Sequence, residues 1–239
     1  MLSRILEPEV MDTAAEAVDY DAMDHSSVNR VFVDDFLTEA GDPANSANPG
    51  DSSETLQVLD AGTGTAQIPI ALCRRSDRWN VTAIDLAAEM LKVAEANVNA
   101  AGLSERIALK RADAKNLPWK DARFDAVISN SIVHHIPLPR AAFVQFVRVL
   151  KPGGFLFVRD LLRPDNAETL AELVRTYTGA ENAHQQQMFR DSLHAAFTLD
   201  EMQSLLAEMN IPPEHVRQTT DRHWTLSTRV HPGDDEPRP

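Results

Sequence analysis

The sequence predicts an α/β protein built on a doubly wound, mostly parallel sheet, and three observations carry that expectation. From residue 56 onward, short apolar runs alternate with amphipathic helical stretches. The first run, Val58-Leu59-Asp60-Ala61, ends in Gly62-Thr63-Gly64-Thr65-Ala66, where a chain leaving a strand must turn sharply. The last two β-rich runs, residues 216–220 and 223–229, flank Asp221-Arg222 closely enough to pair as an antiparallel hairpin.

The elements follow in order. Residues 10–40 read as one or two helices, with Val28, Val31, Phe32, Phe36 and Leu37 on one apolar face. Residues 41–54, with two prolines, two glycines and no large apolar residue before Ser53, read as a flexible linker. Residues 56–61 form the first predicted strand and 66–75 the first helix after it, with Pro69 near the first turn, where a missing N–H costs least. A second strand at 80–85 precedes a helical stripe of Ala87, Met90, Leu91, Ala94 and Val98 that stops at Gly102. Third and fourth strands fall at 106–113 and 124–130. Pro139 opens a helix whose apolar face includes Phe143 and Phe146, and Gly153-Gly154 turns the chain into a fifth strand at 155–161. Helices at 167–177, 185–196 and 198–209 lead to the closing hairpin, and residues 231–239 read as a frayed tail.

Composition narrows the function classes. With 239 residues and 43% hydrophobic side chains, the chain can bury an ordinary core. A single cysteine, Cys73, allows no internal disulfide, and no apolar run is long enough to span a bilayer, so a cytoplasmic location is expected, with no signal peptide and no membrane insertion. The net charge is −13, and residues 1–54 hold 13 of the 36 acids but only 2 of the 23 bases. Such a chain repels phosphate backbones, so nucleic acid is not an expected partner.

The glycine turn is a ligand site. Gly62 and Gly64 allow close approach to the backbone, and the following helix aims free N–H groups into the same space. A dinucleotide turn would carry a third glycine at position 67, where this chain has Gln67. An NAD(P)-dependent oxidoreductase is therefore the weaker alternative.

Asp60-x-Gly62-x-Gly64 resembles the first motif of the class I S-adenosylmethionine-dependent methyltransferases, and four further stretches match that family in order. Asp85 ends the second strand, Asp113-Ala114 leaves the third, and Phe124-Asp125-Ala126-Val127-Ile128-Ser129-Asn130 with His134-His135-Ile136 resembles the fourth. Val149-Leu150-Lys151-Pro152-Gly153-Gly154 is similar to the turn before the family's fifth strand. The resemblance covers about residues 55–161 and implies a Rossmann-like, seven-stranded methyltransferase domain over 55–230, with an antiparallel closing strand. A helical cap at 1–40 and an acceptor lid at 165–197 complete the expectation.

The resemblance implies S-adenosyl-L-methionine as cofactor and a small-molecule methyl acceptor. Asp85 would take the ribose hydroxyls with Leu86 beside it, Asp113 and Ala114 the adenine edge, and Met90 its face. The Ala61 carbonyl, the N–H groups of Gly62 and Gly64, and Asn130 would meet the methionine end, with Asp60 bracing the turn. His134 and His135 follow the fourth strand on the ligand side, where a neutral imidazole can take an acceptor's proton. An inactive, nucleoside-binding regulator is a further alternative. The spacing of His, Cys, Asp and Glu offers no metal-ligand constellation.

Overall fold

The computed structural model describes residues 2–10, 12–23, 25–41 and 55–230. The expected linker at 41–54 and the tail at 231–239 lie outside the described residues, apart from Gly41. The described elements are α1 (Ala14–Ala22), α2 (Ser26–Ala40), β1 (Leu56–Ala61), α3 (Gln67–Arg75), β2 (Trp79–Asp85), α4 (Ala88–Ala100), β3 (Ile107–Arg111) and β4 (Phe124–Asn130). They continue with α5 (Arg140–Val149), β5 (Leu150–Leu161), α6 (Ala167–Thr178), α7 (Ala183–Ala195), α8 (Leu199–Ala207), β6 (Val216–Gln218) and β7 (His223–Arg229).

The strands form one sheet in the order β3-β2-β1-β4-β5-β7-β6. The first five are parallel, and β7 runs antiparallel to both β5 and β6. The order reverses between β1 and β4, so the carboxyl ends of those two strands splay apart and open a crevice. The sequence places the glycine turn and Asn130 at those two ends.

Both sheet faces are covered. On one, Leu59, Val127, Phe143, Phe146, Leu156 and Trp224 meet in a core under α5 and α8. On the other, Phe32 and Phe36 of α2 pack on Phe155 and Phe157 of β5, with Phe36 also 5.2 Å from Trp79. Each fully buried phenylalanine contributes roughly 1.5–3 kcal/mol. Residues 1–40 read as a cap in sequence, but α2 is a layer of the main core. The first turn of α2, through Ser27, Val28 and Asn29, lies toward the ligand side together with α1 and the extended strap of residues 2–10.

Two local expectations shift. The fifth strand begins at Leu150, not at 155, because Phe124 pairs with Leu150 and Ala126 with Phe155, leaving a bulge that absorbs Gly153-Gly154. A Cβ on Gly154 would lie 2.7 Å from the Lys151 carbonyl, so the bulge tolerates no side chain there. The third strand ends at Arg111, and Ala112 and Asp113 are free to turn into the crevice.

Candidate active site

The turn after β1 is held by the strand beside it. The N–H groups of Gly62 and Thr63 donate to the Ile84 carbonyl at 2.9 and 2.8 Å. Gly62 takes φ +76°, and a Cβ on it would sit 2.0 Å from Ile132 Cγ2. Glycine is therefore required there twice, by conformation and by space. Ala66, at φ +64°, closes the turn as the residue before α3, at a conformation that costs an alanine about 1–2 kcal/mol.

A cavity of about 450 Å³ opens at these strand ends. One wall is Gly62, Gly64, Asp85, Leu86 and Met90, and the next is Asp113, Ala114 and Lys115. Asn130, Ser131, Ile132, His134 and His135 form the side under β4. The far side is made by α6 and α7 through Tyr177, Glu181, Gln185, Phe189 and Ser192, within the expected lid, and Tyr20 and His25 close from the N-terminal helices.

Eight of the ten expected cofactor positions thus line one cavity. The other two, Asp60 and Ala61, lie behind it. The Ala61 carbonyl accepts the Ser129 hydroxyl at 2.9 Å, which ties the end of β1 to β4. Asp60 is 2% exposed and its Oδ2 has no hydrogen-bond partner. Burial pushes its carboxyl up to about 7, with Asp85 adding to the rise and the Thr63 hydroxyl opposing it.

Asp85 uses both oxygens on backbone. Oδ2 accepts the Gly64 N–H at 2.8 Å and Oδ1 the Ala87 N–H at 2.9 Å, although burial still raises its pKa. Each carboxylate oxygen has a second lone pair, so two ligand hydroxyls can still donate to it. Asp113 Oδ1 accepts the Lys115 N–H at 2.8 Å and lies 3.1 Å from Lys115 Nζ, which also pairs with Glu9. Met90 is 3% exposed and packs with Ala17 and Ala87. Asn130 Oδ1 is buried at the end of β4 without a partner, an acceptor left for a ligand's donor.

Asp160 organises the histidine loop. Its Oδ2 accepts the N–H groups of Val133 and His134, and Oδ1 lies 2.5 Å from His134 Nδ1. Burial alone would lower the His134 pKa, but Asp160 and then Glu7 outweigh it and the net shift is upward. Glu7 Oε1 sits 3.4 Å from His134 Nε2 and 3.1 Å from His135 Nδ1. His135 moves the other way, down to about 3, from burial first and the adjacent His134 second. One ring is thus oriented by a carboxylate, and the other is neutral.

The neighbours of Asp160 on β5 and beyond have separate duties. Arg159, on the opposite face, binds Thr225 and Asp35, and Arg163 binds the Ala196 carbonyl and Glu201. The strap itself is tied down by Arg4, whose guanidinium donates to the carbonyls of Ala195, Pro137, His134 and Ile136 and lies 3.7 Å from the Phe197 ring centroid. Arg4, Glu7 and Glu9 carry no sequence signal for these roles, because each partner lies more than a hundred positions away.

Comparisons agree with this architecture. Residues 59–158 match the methyltransferase domain family. The 27-O-demethylrifamycin SV methyltransferase of Amycolatopsis mediterranei is 31% identical over 183 residues, covering 74% of this chain and 62% of that protein. A demethylmenaquinone methyltransferase of Lactiplantibacillus plantarum is 35% identical over 114 residues, covering 47% and 48%. The chain therefore spans about half to three fifths of the length of these curated relatives. The crystal structure of a putative S-adenosyl-L-methionine-dependent methyltransferase from Methanococcus maripaludis superposes with a TM-score of 0.66 at 19% identity, covering 95% of this chain and 96% of that one. Residues 59–158 are thus similar to the methyltransferase domain family, and the fold is that of the Methanococcus maripaludis structure.

Proposed function

We propose that this protein binds S-adenosyl-L-methionine in the crevice between β1 and β4 and transfers its methyl group, by in-line displacement, to a small-molecule acceptor. The observation that carries this reading is the convergence of Gly62, Gly64, Asp85, Met90, Asp113 and Asn130 on one cavity. The residues fit the cofactor's donors. Asp85 and Asp113 are acceptors for ribose hydroxyls and an adenine amine, and the unpartnered Asn130 Oδ1 suits the ammonium end. When bound, the cofactor supplies an electrophilic methyl group on a positively charged sulfur.

The protein's own work is alignment, exclusion of water and management of one proton. A hydroxyl or amine acceptor must lose a proton as it is methylated. His134 is the better-placed base, because Asp160 fixes its Nδ1 side and leaves Nε2 toward Glu7 and the cavity. An imidazole whose pKa is raised by a carboxylate holds that proton better than one held near 3, so His135 serves as a cavity wall. Asp160 is a positioning residue. The acceptor enters between α6, α7 and the strap, where Tyr177, Gln185 and Phe189 mix polar and aromatic surface. A small hydroxyl compound with apolar or aromatic surface suits such walls. The two curated relatives named above are methyltransferases of small molecules, which supports this class.

Calorimetry tests the reading. S-adenosylhomocysteine should bind with one site, and NADH should not bind. The reverse result would falsify the cofactor assignment. A methyl-release screen against phenolic and polyketide pools then identifies the acceptor, and inactivity of His134→Ala with intact S-adenosylhomocysteine binding would support the base.

A further inference from the structure

Three buried ligand atoms from two distant parts of the chain converge beside the cavity: Glu7 Oε1, His134 Nε2 and His135 Nδ1, all within 4.8 Å of one another. We infer that these atoms form a binding site for one divalent transition cation of the zinc type, clamping the N-terminal strap to the loop after β4.

The donor set has the right chemistry. Two imidazole nitrogens and one carboxylate oxygen form a common tetrahedral zinc ligand set, which leaves a fourth position for water. The spacing also fits. Tetrahedral bonds of ~2.05 Å give ligand–ligand edges of roughly 3.3 Å, and the carboxylate oxygen lies 3.4 Å from His134 Nε2 and 3.1 Å from His135 Nδ1. The two rings are neighbours, with centroids 4.2 Å apart and planes tilted by 34°.

The surroundings argue for a ligand beyond the three groups themselves. Glu7 Oε1 and His135 Nδ1 are buried and make no hydrogen bond to the rest of the protein, facing each other at 3.1 Å in a cluster that a cation would bridge. Behind His134, Asp160 accepts a hydrogen bond from Nδ1–H, which fixes the tautomer that presents Nε2 as a ligand. This carboxylate–histidine support is the usual outer shell of a metal-bound imidazole. The strap is independently held in place by Arg4, so Glu7 is presented and not merely tethered.

A cation on His134 Nε2 uses the lone pair that would accept a proton, so the base role proposed above belongs to the metal-free form. Metal binding does not depend on the methyltransferase reading being correct.

The test uses the full chain, stripped with a chelator and dialysed, with no cofactor present. Titration with zinc chloride should give one saturable equivalent, and cobalt(II) should develop the visible absorption of a tetrahedral site. Glu7→Gln and, separately, His135→Gln should each weaken zinc binding at least ~10-fold. Hydrogen exchange at residues 4–9 should slow on adding zinc to the unmodified protein. Absence of stoichiometric binding in that protein would overturn the site. So would zinc binding of unchanged affinity in both variants, or unchanged exchange in the strap.

Discussion

Asp85 Oδ2 accepts the backbone N–H of Gly64 at 2.8 Å, latching the carboxyl end of β2 to the turn that leaves β1. The acid read from sequence as a ribose ligand thus shapes the glycine turn that floors the crevice. Asp85→Ala removes both the carboxylate and the latch, and should weaken S-adenosylhomocysteine binding by about 1.5–3 kcal/mol. Asp85→Asn keeps one acceptor oxygen for the latch and should lose less. Equal losses in the two variants, measured by calorimetry, would tie affinity to the carboxylate's charge and leave the latch no part in it.

Gly62 is locked by Ile132. Gly62→Ala should lower stability by about 2 kcal/mol or more, from a left-handed backbone and a Cβ placed 2.0 Å from Ile132 Cγ2. Adding Ile132→Ala removes the Cγ2 and Cδ1 clashes, leaving the Cβ of residue 132 at 2.9 Å and the backbone cost of about 1–2 kcal/mol. A double-mutant cycle by urea unfolding reads the coupling directly. Additive losses would mean the turn relaxes away from Ile132.

Asp60 makes stability pH-dependent in a defined direction. Its folded pKa, near 7, lies above the ordinary carboxylate value of 3.8. The folded state therefore prefers the protonated form. Its contribution is fully present below about pH 4 and is lost as pH rises through 7, on the order of 2–4 kcal/mol. Unfolding free energies of the wild type and Asp60→Asn should converge at low pH and diverge toward pH 8, with the wild type losing more. Parallel profiles would show that Asp60 ionises freely in the folded protein.

Arg4 ties the strap with a fork that lysine cannot copy, spanning the carbonyls of Ala195, Pro137, His134 and Ile136. Arg4→Lys should speed hydrogen exchange and limited proteolysis within residues 2–10 while leaving the sheet's protection unchanged. Its effect on global stability should be small, about 1–2 kcal/mol. Loss of protection in β4 and β5 would instead make the strap part of the folding core.

The Asp160–His134 pair gives the proposed chemistry a pH signature. Asp160→Asn removes the partner that raises the His134 pKa, so the acid limb of the rate profile should move to lower pH and the rate at its plateau should fall. A plateau loss without any shift of the limb would confine Asp160 to holding Val133 and the loop.

Much of the architecture was legible because its signals are local. Apolar alternation, a glycine pair and an acid at each strand end depend on neighbours a few positions away, and β1, β4 and β7 fall where the pattern places them. The acids and glycines facing the crevice were legible for the same reason, since a parallel sheet sends every carboxyl end to one side. Gly153-Gly154 misread as a strand entry because a bulge and a turn use the same residue chemistry.

What the sequence by itself determined is the parallel sheet, the glycine turn after its first strand and the side of the sheet on which the crevice opens. Tertiary structure alone decided that α2 belongs to the core, that Ala61 serves Ser129, and that Arg4 and Glu7 reach the histidine loop. Those pairings join residues far apart along the chain, where no periodicity connects them. Only the closed fold brings their charges and lone pairs within reach of each other.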